Sequence, residues 1–407
     1  MRRAKLVPNT LLFAAVALIL CAAVAVPVSA ANLTVGAGGQ FKTIQQAVDA
    51  AKPGDTVLVA PGTYTQNVVV DKPLTIAGNA TVKAADSSKD VFLLTSPGVH
   101  IDGLTITGGE SGVHVAGVTS CVITNITAHG NVFAVYLANA TNSDVSHNNL
   151  ANNGYGVYCD YATSNTIANN VATGETGGGG NATYSDGIYM YYSGSNTVSD
   201  NDLSANHVFG ISLFYSSNNN ITGNNISQND WYGVRFRESD NNTFTFNTLR
   251  ANVQMGIRLI DATNHSIYLN NFIDQPSALV VSSSSVRLDS PQPMAYTYNG
   301  TAQTGHMGNY YSDYNGTTSN GTGIGSTRSA YGDKYPLLQP VTSYSNIILA
   351  SAVTSTASPA SSNVQNTSMA VTSNQTSNGT GLPGFEALYA VAGLLIAALV
   401  VVLKHHR

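Results

Sequence analysis

Short apolar segments separated by polar residues recur through the middle of the chain with a nearly constant period. A small residue followed by an aliphatic one marks each repeat, and successive marks are 22, 22, 31, 23, 23, 23 and 22 residues apart. The interval of 31 contains one insertion, residues 174–183. A fixed period over this many copies is typical of a solenoid, in which each repeat packs only against its neighbours. The marks are Gly112-Val113, Ala134-Val135, Gly156-Val157, Gly187-Ile188, Gly210-Ile211, Gly233-Val234, Gly256-Ile257 and Ala278-Leu279.

Two further columns, meaning residues at equivalent positions of successive repeats, keep the same register. No repeat has an apolar run at the 3.6-residue period of a helix, which excludes leucine-rich and ankyrin-type repeats. A β-propeller is the remaining rival, but its blades need about 40–50 residues. One column is asparagine-rich: Asn148-Asn149-Leu150, Asn169-Asn170-Val171, Asn201-Asp202-Leu203, Asn224-Asn225-Ile226, Asn247-Thr248-Leu249 and Asn270-Asn271-Phe272. The other is apolar: Val145, Ile167, Val198, Ile221, Phe244 and Ile267.

Short strands punctuated by Asn and Gly predict a coil with three strands per turn, stacked about 4.8 Å apart. Asparagines stacked at the bends tolerate left-handed backbone and can hydrogen-bond along the coil axis. Residues 41–51 carry apolar side chains at helical spacing before Lys52-Pro53-Gly54, which predicts a helix that caps the first coil. The predicted fold class is therefore all-β: a right-handed, single-stranded parallel β-helix over residues 31–340, with an N-terminal capping helix.

The N-terminal segment has the layout of a secretory signal peptide. A basic start at residues 1–5 is followed by the apolar run Leu11 to Val26, and Val28-Ser29-Ala30 supplies small residues before a cleavage site. We predict a signal peptide over residues 1–30 that is cleaved after Ala30. An uncleaved membrane anchor is the alternative.

The C-terminal segment predicts attachment to the cell surface. Residues 387–403 are apolar apart from Gly and Tyr, long enough at the short limit to cross a bilayer, and a basic cluster follows them. With Pro383-Gly384-Phe385 ahead of it, the segment 382–407 resembles the C-terminal sorting signal of archaeal surface proteins. This resemblance implies that an archaeosortase removes the segment and that a lipid takes over the anchoring. A plain membrane span is the alternative, and in both cases we expect an extracellular protein anchored at the membrane.

Residues 341–381 are dominated by Ser, Thr, Ala and Asn, which predicts an extended, glycosylated stalk. N-glycosylation acceptors also occur upstream, and we expect those inside tight coils to remain unmodified. These upstream acceptors are Asn32, Asn79, Asn125, Asn139, Asn181, Asn220, Asn225, Asn241, Asn264, Asn299, Asn315 and Asn320.

Three segments carry a resemblance to a known family over residues 33–338. Residues 41–64 look like the opening of pectin-lyase-like β-helix proteins. The 22–23-residue repeats resemble carbohydrate-binding and sugar-hydrolase β-helix repeats, in particular the NosD-like family. The segments at residues 308–314, 321–325 and 333–337 resemble the C-terminal region of members of that family. The family takes its name from a periplasmic protein that takes part in copper delivery to nitrous-oxide reductase. The resemblance therefore implies a function that involves either glycans or copper.

Composition narrows these possibilities. Only 10% of residues are charged and the net charge is −5, without a basic block, which argues against a nucleic-acid partner. Cys121 and Cys159 fall on interior columns, so we predict two buried free thiols rather than a disulfide framework. The histidines are scattered one per coil, whereas copper prefers clustered His, Met or Cys. We therefore expect no metal and no cofactor.

Candidate chemistry lies on one predicted outer face, formed by residues two and four positions after the repeat Gly. Residues at the end of the same strands and on the bends that precede them border this face. Aromatic rings stack on sugar faces, and arginines hold carboxylates or sulfates bidentately. A structural ladder of Tyr and Arg on an outer β-face is the simpler interpretation. The candidate glycan-binding residues are Tyr158, Tyr189, Tyr191, Phe214, Tyr215, Arg235, Arg237, Arg258 and Trp231.

A catalytic interpretation of the same face stays open. Arg235 and Arg258 would neutralise a uronate, His207 or Tyr189 would move a proton, and Glu238 with Asp261 would form a carboxylate pair. The prediction that we prefer is an exported surface protein that binds cell-envelope or environmental polysaccharide without catalysis. The alternatives are a lyase, epimerase or glycosidase acting on acidic glycans, and a copper accessory protein.

Overall fold

A computed structural model describes residues 30–176, 185–318 and 320–350. Of the chain's two units, Met1–Thr356 and Ala357–Arg407, only the first contains described residues. The predicted signal peptide before Ala30, most of the stalk, and the sorting signal with its apolar span lie outside them. Within the described ranges, no helix is long and apolar enough to cross a membrane.

The described residues form a parallel β-helix whose first side is a twelve-stranded sheet. Its strands are hydrogen-bonded in the order in which the chain visits them, one strand per rung of the coil. They are β1 (Asn32–Val35), β2 (Thr56–Val59), β5 (Thr75–Gly78), β8 (His100–Asp102), β11 (Val122–Thr124), β14 (Asp144–Ser146), β16 (Thr166–Ala168), β18 (Thr197–Ser199), β20 (Asn220–Thr222), β23 (Thr243–Thr245), β26 (His265–Tyr268) and β29 (Val286–Arg287).

The second side is a ten-stranded parallel sheet, and its outer face carries most of the candidate site residues. Most of its strands are six residues long, longer than those of the other sides. They are β4 (Val68–Val70), β7 (Phe92–Leu94), β10 (Ser111–Ala116), β13 (Phe133–Ala138), β15 (Tyr155–Asp160), β17 (Ile188–Tyr191), β19 (Phe209–Phe214), β22 (Tyr232–Arg237), β25 (Met255–Ile260) and β28 (Leu279–Ser282).

The third side consists of two four-stranded sheets. Single parallel bridges through Asn149, Val171 and Asp202 join them across the middle rungs. The first sheet contains β3 (Thr63–Thr65), β6 (Thr81–Lys83), β9 (Thr105–Thr107) and β12 (Thr127–His129). The second contains β21 (Asn225–Ser227), β24 (Thr248–Arg250), β27 (Asn271–Ile273) and β32 (Tyr310–Tyr311).

The strand register confirms the predicted repeat. Val113 pairs with Val135, Val135 with Val157, and the same column continues across the insertion from Val157 to Ile188. These side chains fill the narrow core between the three sides and are fully buried. Gly210 must be small because a Cβ there would lie 2.5 Å from Ile226 Cγ2 and 2.9 Å from Asn229 Nδ2. The predicted all-β right-handed parallel β-helix is therefore confirmed.

Buried asparagine ladders run along the coil axis where the strands bend. In each ladder a side-chain oxygen accepts a hydrogen bond from the backbone N–H of the preceding rung, as from Asn170 to Asn201 at 2.9 Å. The first ladder contains Asn148, Asn170, Asn201, Asn224, Asn247, Asn270 and Asn309. The sequence predicts this ladder as far as Asn270. The second ladder contains Asn131, Asn153, Glu175, Asn206, Asn229 and Asn252. The third contains Ser143, Asn165, Asn196, Asn219 and Asn242.

The left-handed backbone lies one residue before the predicted ladder, not on it. Asn169 and Asp200 both have φ of 56°, whereas Asn170 and Asn201 are not in the left-handed region. The ladder asparagines are therefore selected for hydrogen bonding in a buried position, while the preceding residue, as at Asn169 and Asp200, takes the left-handed backbone at the bend.

The N-terminal cap is a single short helix, α1 (Ile44–Ala50), within the predicted segment 41–51. Thr43 Oγ1 accepts a hydrogen bond from Gln46 N at 3.2 Å and so satisfies a free donor of the first turn. Ile44, Ala47 and Val48 are buried against the first coil. The helix thereby covers apolar surface that the open end of a solenoid would otherwise expose.

The C-terminal part departs from the simple coil. β30 (Met294–Tyr298), β31 (Thr301–Gly305) and β33 (Tyr344–Leu349) form a three-stranded antiparallel sheet, and a short 3-10 helix at Val341–Ser343 precedes β33. Tyr344 is buried, stacks on Tyr298 at 4.8 Å and donates a hydrogen bond to Gly323 O. Folded structure thus continues past residue 340, where the sequence predicts the stalk to begin, because β33 completes this sheet.

Candidate functional site

The outer face of the ten-stranded sheet brings the predicted aromatic residues together. Tyr158 and Tyr189 occupy adjacent rungs of one column, and their rings stack with centroids 5.1 Å apart. Tyr136 precedes them in the same column and donates a hydrogen bond from its hydroxyl to Asp160 Oδ2 at 3.3 Å. Phe133 packs against Tyr158 at 4.9 Å. This part of the face is half-buried, and burial raises the pKa of Tyr158 above its usual value.

A more exposed aromatic stack lies at the end of these strands, and we call Tyr161, Tyr192 and Tyr215 the tyrosine ladder. Ring centroids are 5.0 Å apart between Tyr161 and Tyr192 and 4.6 Å apart between Tyr192 and Tyr215, with nearly parallel planes. Tyr161 is 52% exposed and Tyr192 40% exposed. Tyr191 and Phe214 flank the ladder on the adjoining column.

All three ladder tyrosines have left-handed backbone, with φ of 51°, 46° and 53°. This conformation costs about 1–2 kcal/mol for a residue with a Cβ, and glycine or asparagine adopts it more easily. Gly117 and Asn139 hold the same column in the two preceding rungs. Tyrosine therefore occupies positions that backbone preference alone would give to smaller residues. The sequence shows the spacing of these tyrosines but gives no signal for their backbone conformation.

Towards the C-terminus the aromatic column changes to arginine, and we call Arg235 and Arg258 the arginine pair. The two residues are in register on neighbouring strands, whose spacing is about 4.8 Å. Arg235 donates hydrogen bonds to Ser212 Oγ at 2.9 and 3.1 Å and lies 4.4 Å above the Phe209 ring. Arg258 forms no ion pair and no side-chain hydrogen bond with any described residue. Ser212 and Phe209 both belong to β19, so the Arg235 guanidinium is held on the side away from Arg258.

The predicted carboxylate pair, Glu238 and Asp261, follows the tyrosine ladder in the same column. The Glu238 carboxylate is 3.4 Å from Arg237 Nε, and its hydrogen bond with Tyr215 is the largest cause of the raised pKa of that tyrosine. Arg237 also lies 4.8 Å above the Phe214 ring. Glu238 is thus held by structural partners, while Asp261 is exposed.

His207 and Trp231 lie on the bends that precede the strands. His207 Nδ1 is 3.0 Å from Asp230 Oδ2, and both side chains are about half exposed. Trp231 is exposed and meets Phe209 edge-on at 6.1 Å. A contact as exposed as this one contributes little to stability, and which of the two side chains donates depends on the histidine tautomer.

Beside the arginine pair lies a carboxyl group, Asp186, which the sequence places on a bend next to the candidate face but does not indicate to be buried. Asp186 occupies a column that aromatic residues hold in the neighbouring rungs, and it is completely buried. Its Oδ1 accepts a hydrogen bond from Phe209 N at 3.2 Å, while Oδ2 has no hydrogen-bond partner. Burial raises the pKa of Asp186 from 3.8 to about 7, although the positive charge of Arg235 acts in the opposite direction. The only sequence signal is that Asp186 occupies a position at which the two adjacent repeats have an aromatic residue, Tyr155 and Phe209.

Comparison with known proteins gives the family. A family model described as periplasmic copper-binding protein (NosD) matches residues 48–181 and 180–316, which is more than half of the chain. The chain belongs to the NosD family. A PGF-CTERM motif matches residues 382–404, where the sequence predicts the sorting signal through Pro383, Gly384 and Phe385. This motif is a C-terminal anchoring signal that implies processing by an archaeosortase, so this NosD-family protein is extracellular and anchored at the cell surface.

One curated relative and two solved structures illustrate what this NosD-family chain is similar to. A cell surface glycoprotein of Methanothermus fervidus is 38% identical over 91 residues, which is 21% of this chain and only 15% of the relative. The alginate lyase of Paenibacillus sp. str. FPU-7 is 16% identical and matches with a TM-score of 0.51 over 63% of this chain and 99% of its own. The Dettilon tailspike protein is 17% identical, with a TM-score of 0.51 over 60% of this chain and 57% of its own. At these identities the two structures show the fold alone.

The family description raises the question of copper, and the side chains of the described residues do not fit a copper site. Cys159 is fully buried, and burial raises the pKa of its thiol to about 12, so the metal-free thiol is protonated at neutral pH. Cys121 is also buried, as the sequence predicts. The described ranges contain no group of three or more His, Cys, Asp or Glu side chains that could hold a metal ion. Copper requires such a cluster of nitrogen or sulfur donors.

Proposed function

We propose that this NosD-family protein binds polysaccharide at the cell surface, along the outer face of the ten-stranded sheet, without turning it over. The polysaccharide belongs to the cell envelope or to the surroundings. The tyrosine ladder is the observation that carries the proposal. Exposed, stacked rings in a costly backbone conformation contribute little to the core, and they present flat apolar faces of the kind that sugar rings stack on.

The arginine pair extends this surface for acidic sugars. Arg258 has an uncommitted guanidinium next to Arg235, and planar guanidinium groups bind carboxylate or sulfate in a two-pronged geometry. A chain that runs along the coil axis would therefore meet aromatic rings first and cationic groups a few rungs later. Uronic-acid or sulfated polysaccharides are the ligand class that this arrangement favours.

A glycan array tests the proposal, with neutral, uronate and sulfated polymers on the same surface. We expect the wild-type protein to bind, and Tyr192→Ala to weaken binding about tenfold because one stacking ring is lost. Phe246→Ala is the matched control. Phe246 resembles Tyr192 in exposure, at 43%, and in its left-handed φ of 58°, but it follows a strand of the twelve-stranded sheet and so lies away from the proposed binding face. Equal losses in both variants, or no bound polymer at all, would refute the proposal.

Catalysis on acidic glycans is a second candidate, and the buried Asp186 favours it. A carboxyl group with a pKa near 7, one unpartnered oxygen and a neighbouring arginine has the properties of a general acid or base. If this candidate is correct, polymers that bind will release unsaturated or reducing ends, and Asp186→Asn will abolish that release while binding persists. Absence of new chain ends from every bound polymer would leave binding as the function.

A further inference from the structure

An N-glycosylation acceptor stands at the N-terminal end of the tyrosine ladder. The sequon is Asn139-Ala140-Thr141. Ala138 pairs with Asp160 in the ten-stranded sheet, so Asn139 is directly in register with Tyr161 one rung later. The Asn139 N–H donates to Asp160 O at 2.8 Å, just as Tyr161 N–H donates to Tyr191 O at 3.0 Å. Asn139 and the tyrosine ladder therefore form one continuous column.

The Asn139 side chain leaves the coil in the same way as the tyrosines do. Its φ of 49° differs by only a few degrees from the 51° of Tyr161, and both residues are exposed. Equal backbone conformation at equivalent positions gives the two Cα–Cβ bonds the same direction. A substituent on Asn139 would accordingly start beside the first exposed ring of the ladder.

The Asn139 carboxamide is also uncommitted, which distinguishes it from several other acceptors. Asn125 and Asn225 donate from Nδ2 to Asp102 and Asp202 at 2.8 and 2.9 Å. Other acceptors bond to each other, as Asn264 Nδ2 does to Asn241 Oδ1 at 2.6 Å. Among the described residues, none forms a hydrogen bond with the Asn139 side chain. Its Nδ2 is therefore available for modification without loss of an internal contact.

We propose that Asn139 carries an N-linked glycan whose first sugars lie along the tyrosine ladder. The donor is an oligosaccharide on a lipid phosphate. A bond forms between Asn139 Nδ2 and the anomeric carbon, the bond from that carbon to the phosphate oxygen breaks, and Nδ2 loses one proton as the lipid phosphate leaves. The contact rests on the proposed function, because it uses the same rings for a covalently attached sugar chain.

The consequence is a competition at one part of the binding face. The attached glycan covers Tyr161 and Tyr192, whereas the arginine pair, which begins two rungs after Tyr192, stays open. An external polysaccharide must displace the attached sugars before it can stack on the ladder. Its apparent affinity is then reduced by the fraction of molecules in which the ladder is covered.

Three measurements on the full-length protein from an archaeal host that performs N-glycosylation test this inference. Glycopeptide mass spectrometry should find sugar on Asn139. The extent of nitration of Tyr161 and Tyr192 by tetranitromethane, normalised to that of Tyr335, should be on the order of threefold higher in Asn139→Gln and in Thr141→Ala than in the wild-type protein. Binding of the polymers found on the array should strengthen by a similar factor. Asn79→Gln is the control, because Asn79 is an exposed acceptor on the turn after β5.

The outcomes separate this inference from the proposed function. An unmodified Asn139 overturns the inference and leaves polysaccharide binding untouched. A modified Asn139 with unchanged nitration in the two variants overturns the contact with the ladder. If no polymer binds in any variant, the proposed function fails, and the nitration difference alone then decides whether the attached glycan covers the tyrosines.

Discussion

Glu175 takes a position that asparagine holds in the neighbouring rungs of a buried ladder. Its Oε2 accepts a hydrogen bond from Asn153 N at 2.5 Å, and its own N–H donates to Asn206 Oδ1 at 3.1 Å. Oε1 is buried without a hydrogen-bond partner. Asparagine would present an N–H donor where the carboxylate has only acceptors. Burial raises the pKa of Glu175 well above 4.5, so the folded protein favours its protonated form.

Glu175→Gln should therefore stabilise the protein at high pH and have little effect at low pH. Below about pH 4.5 the carboxyl is protonated in both the folded and the unfolded state, so its raised pKa has no effect on stability. As the pH rises towards the folded-state pKa, the unfolded chain loses the proton first and the folded state is progressively destabilised. We expect the variant to match wild type at pH 4 and to melt about 2–4 °C higher at pH 8.

Thermal denaturation followed by circular dichroism at the two pH values measures this difference. Glu110→Gln is the control, since Glu110 is exposed and lies outside the ladders. A similar gain at both pH values would mean that Glu175 acts through packing and not through its charge.

The ladders are the elements that hold successive rungs together. Asn201 donates from Nδ2 to Ile167 O and to Asn224 Oδ1, both at 2.9 Å, and accepts from Asn170 N and Nδ2. A change to alanine leaves several buried donors and acceptors without partners, and each such group costs about 1–3 kcal/mol. We expect Asn201→Ala to lower the free energy of unfolding by about 3 kcal/mol or more.

Urea denaturation checks this expectation with a matched control. Asn220→Ala removes an exposed asparagine in β20, whose side chain forms no hydrogen bond within the described ranges, and should change stability by less than about 0.5 kcal/mol. If both variants lose the same free energy, the ladder hydrogen bonds are not what binds the rungs.

Periodicity explains why the elements could be predicted from the sequence. Because each rung repeats its neighbour, one recurring mark such as Gly210-Ile211 fixes the register of strands and the direction of side chains, including the outward Arg235 and Arg258. The features that sequence reasoning missed break the repeat or depend on neighbouring rungs. Asp186 is buried by the residues of the rungs above and below it, and β33, with Ile347, Ile348 and Leu349, lies at the start of a segment whose remainder is dominated by Ser, Thr, Ala and Asn.

At the scale of the whole molecule, charge is sparse and unevenly placed. The chain has 17 basic and 22 acidic residues, yet Arg235, Arg237 and Arg258 gather on one face. The net charge of −5 repels an acidic polymer at long range, while the local cluster attracts it. Binding of an acidic polysaccharide should therefore depend on this cluster and should weaken as salt screens it.

Arg258→Gln tests that dependence in the mature protein. Since Arg258 has no competing partner among the described residues, its loss should remove affinity for a uronate or sulfated polymer by about tenfold at low salt, and binding should become less sensitive to salt. Binding of any neutral polymer through the tyrosine ladder should stay unchanged. Arg287→Gln is the control, because Arg287 is exposed on the twelve-stranded sheet. Isothermal titration from low to physiological salt measures both variants, and an equal effect in the two would assign the attraction to overall charge, not to the arginine pair.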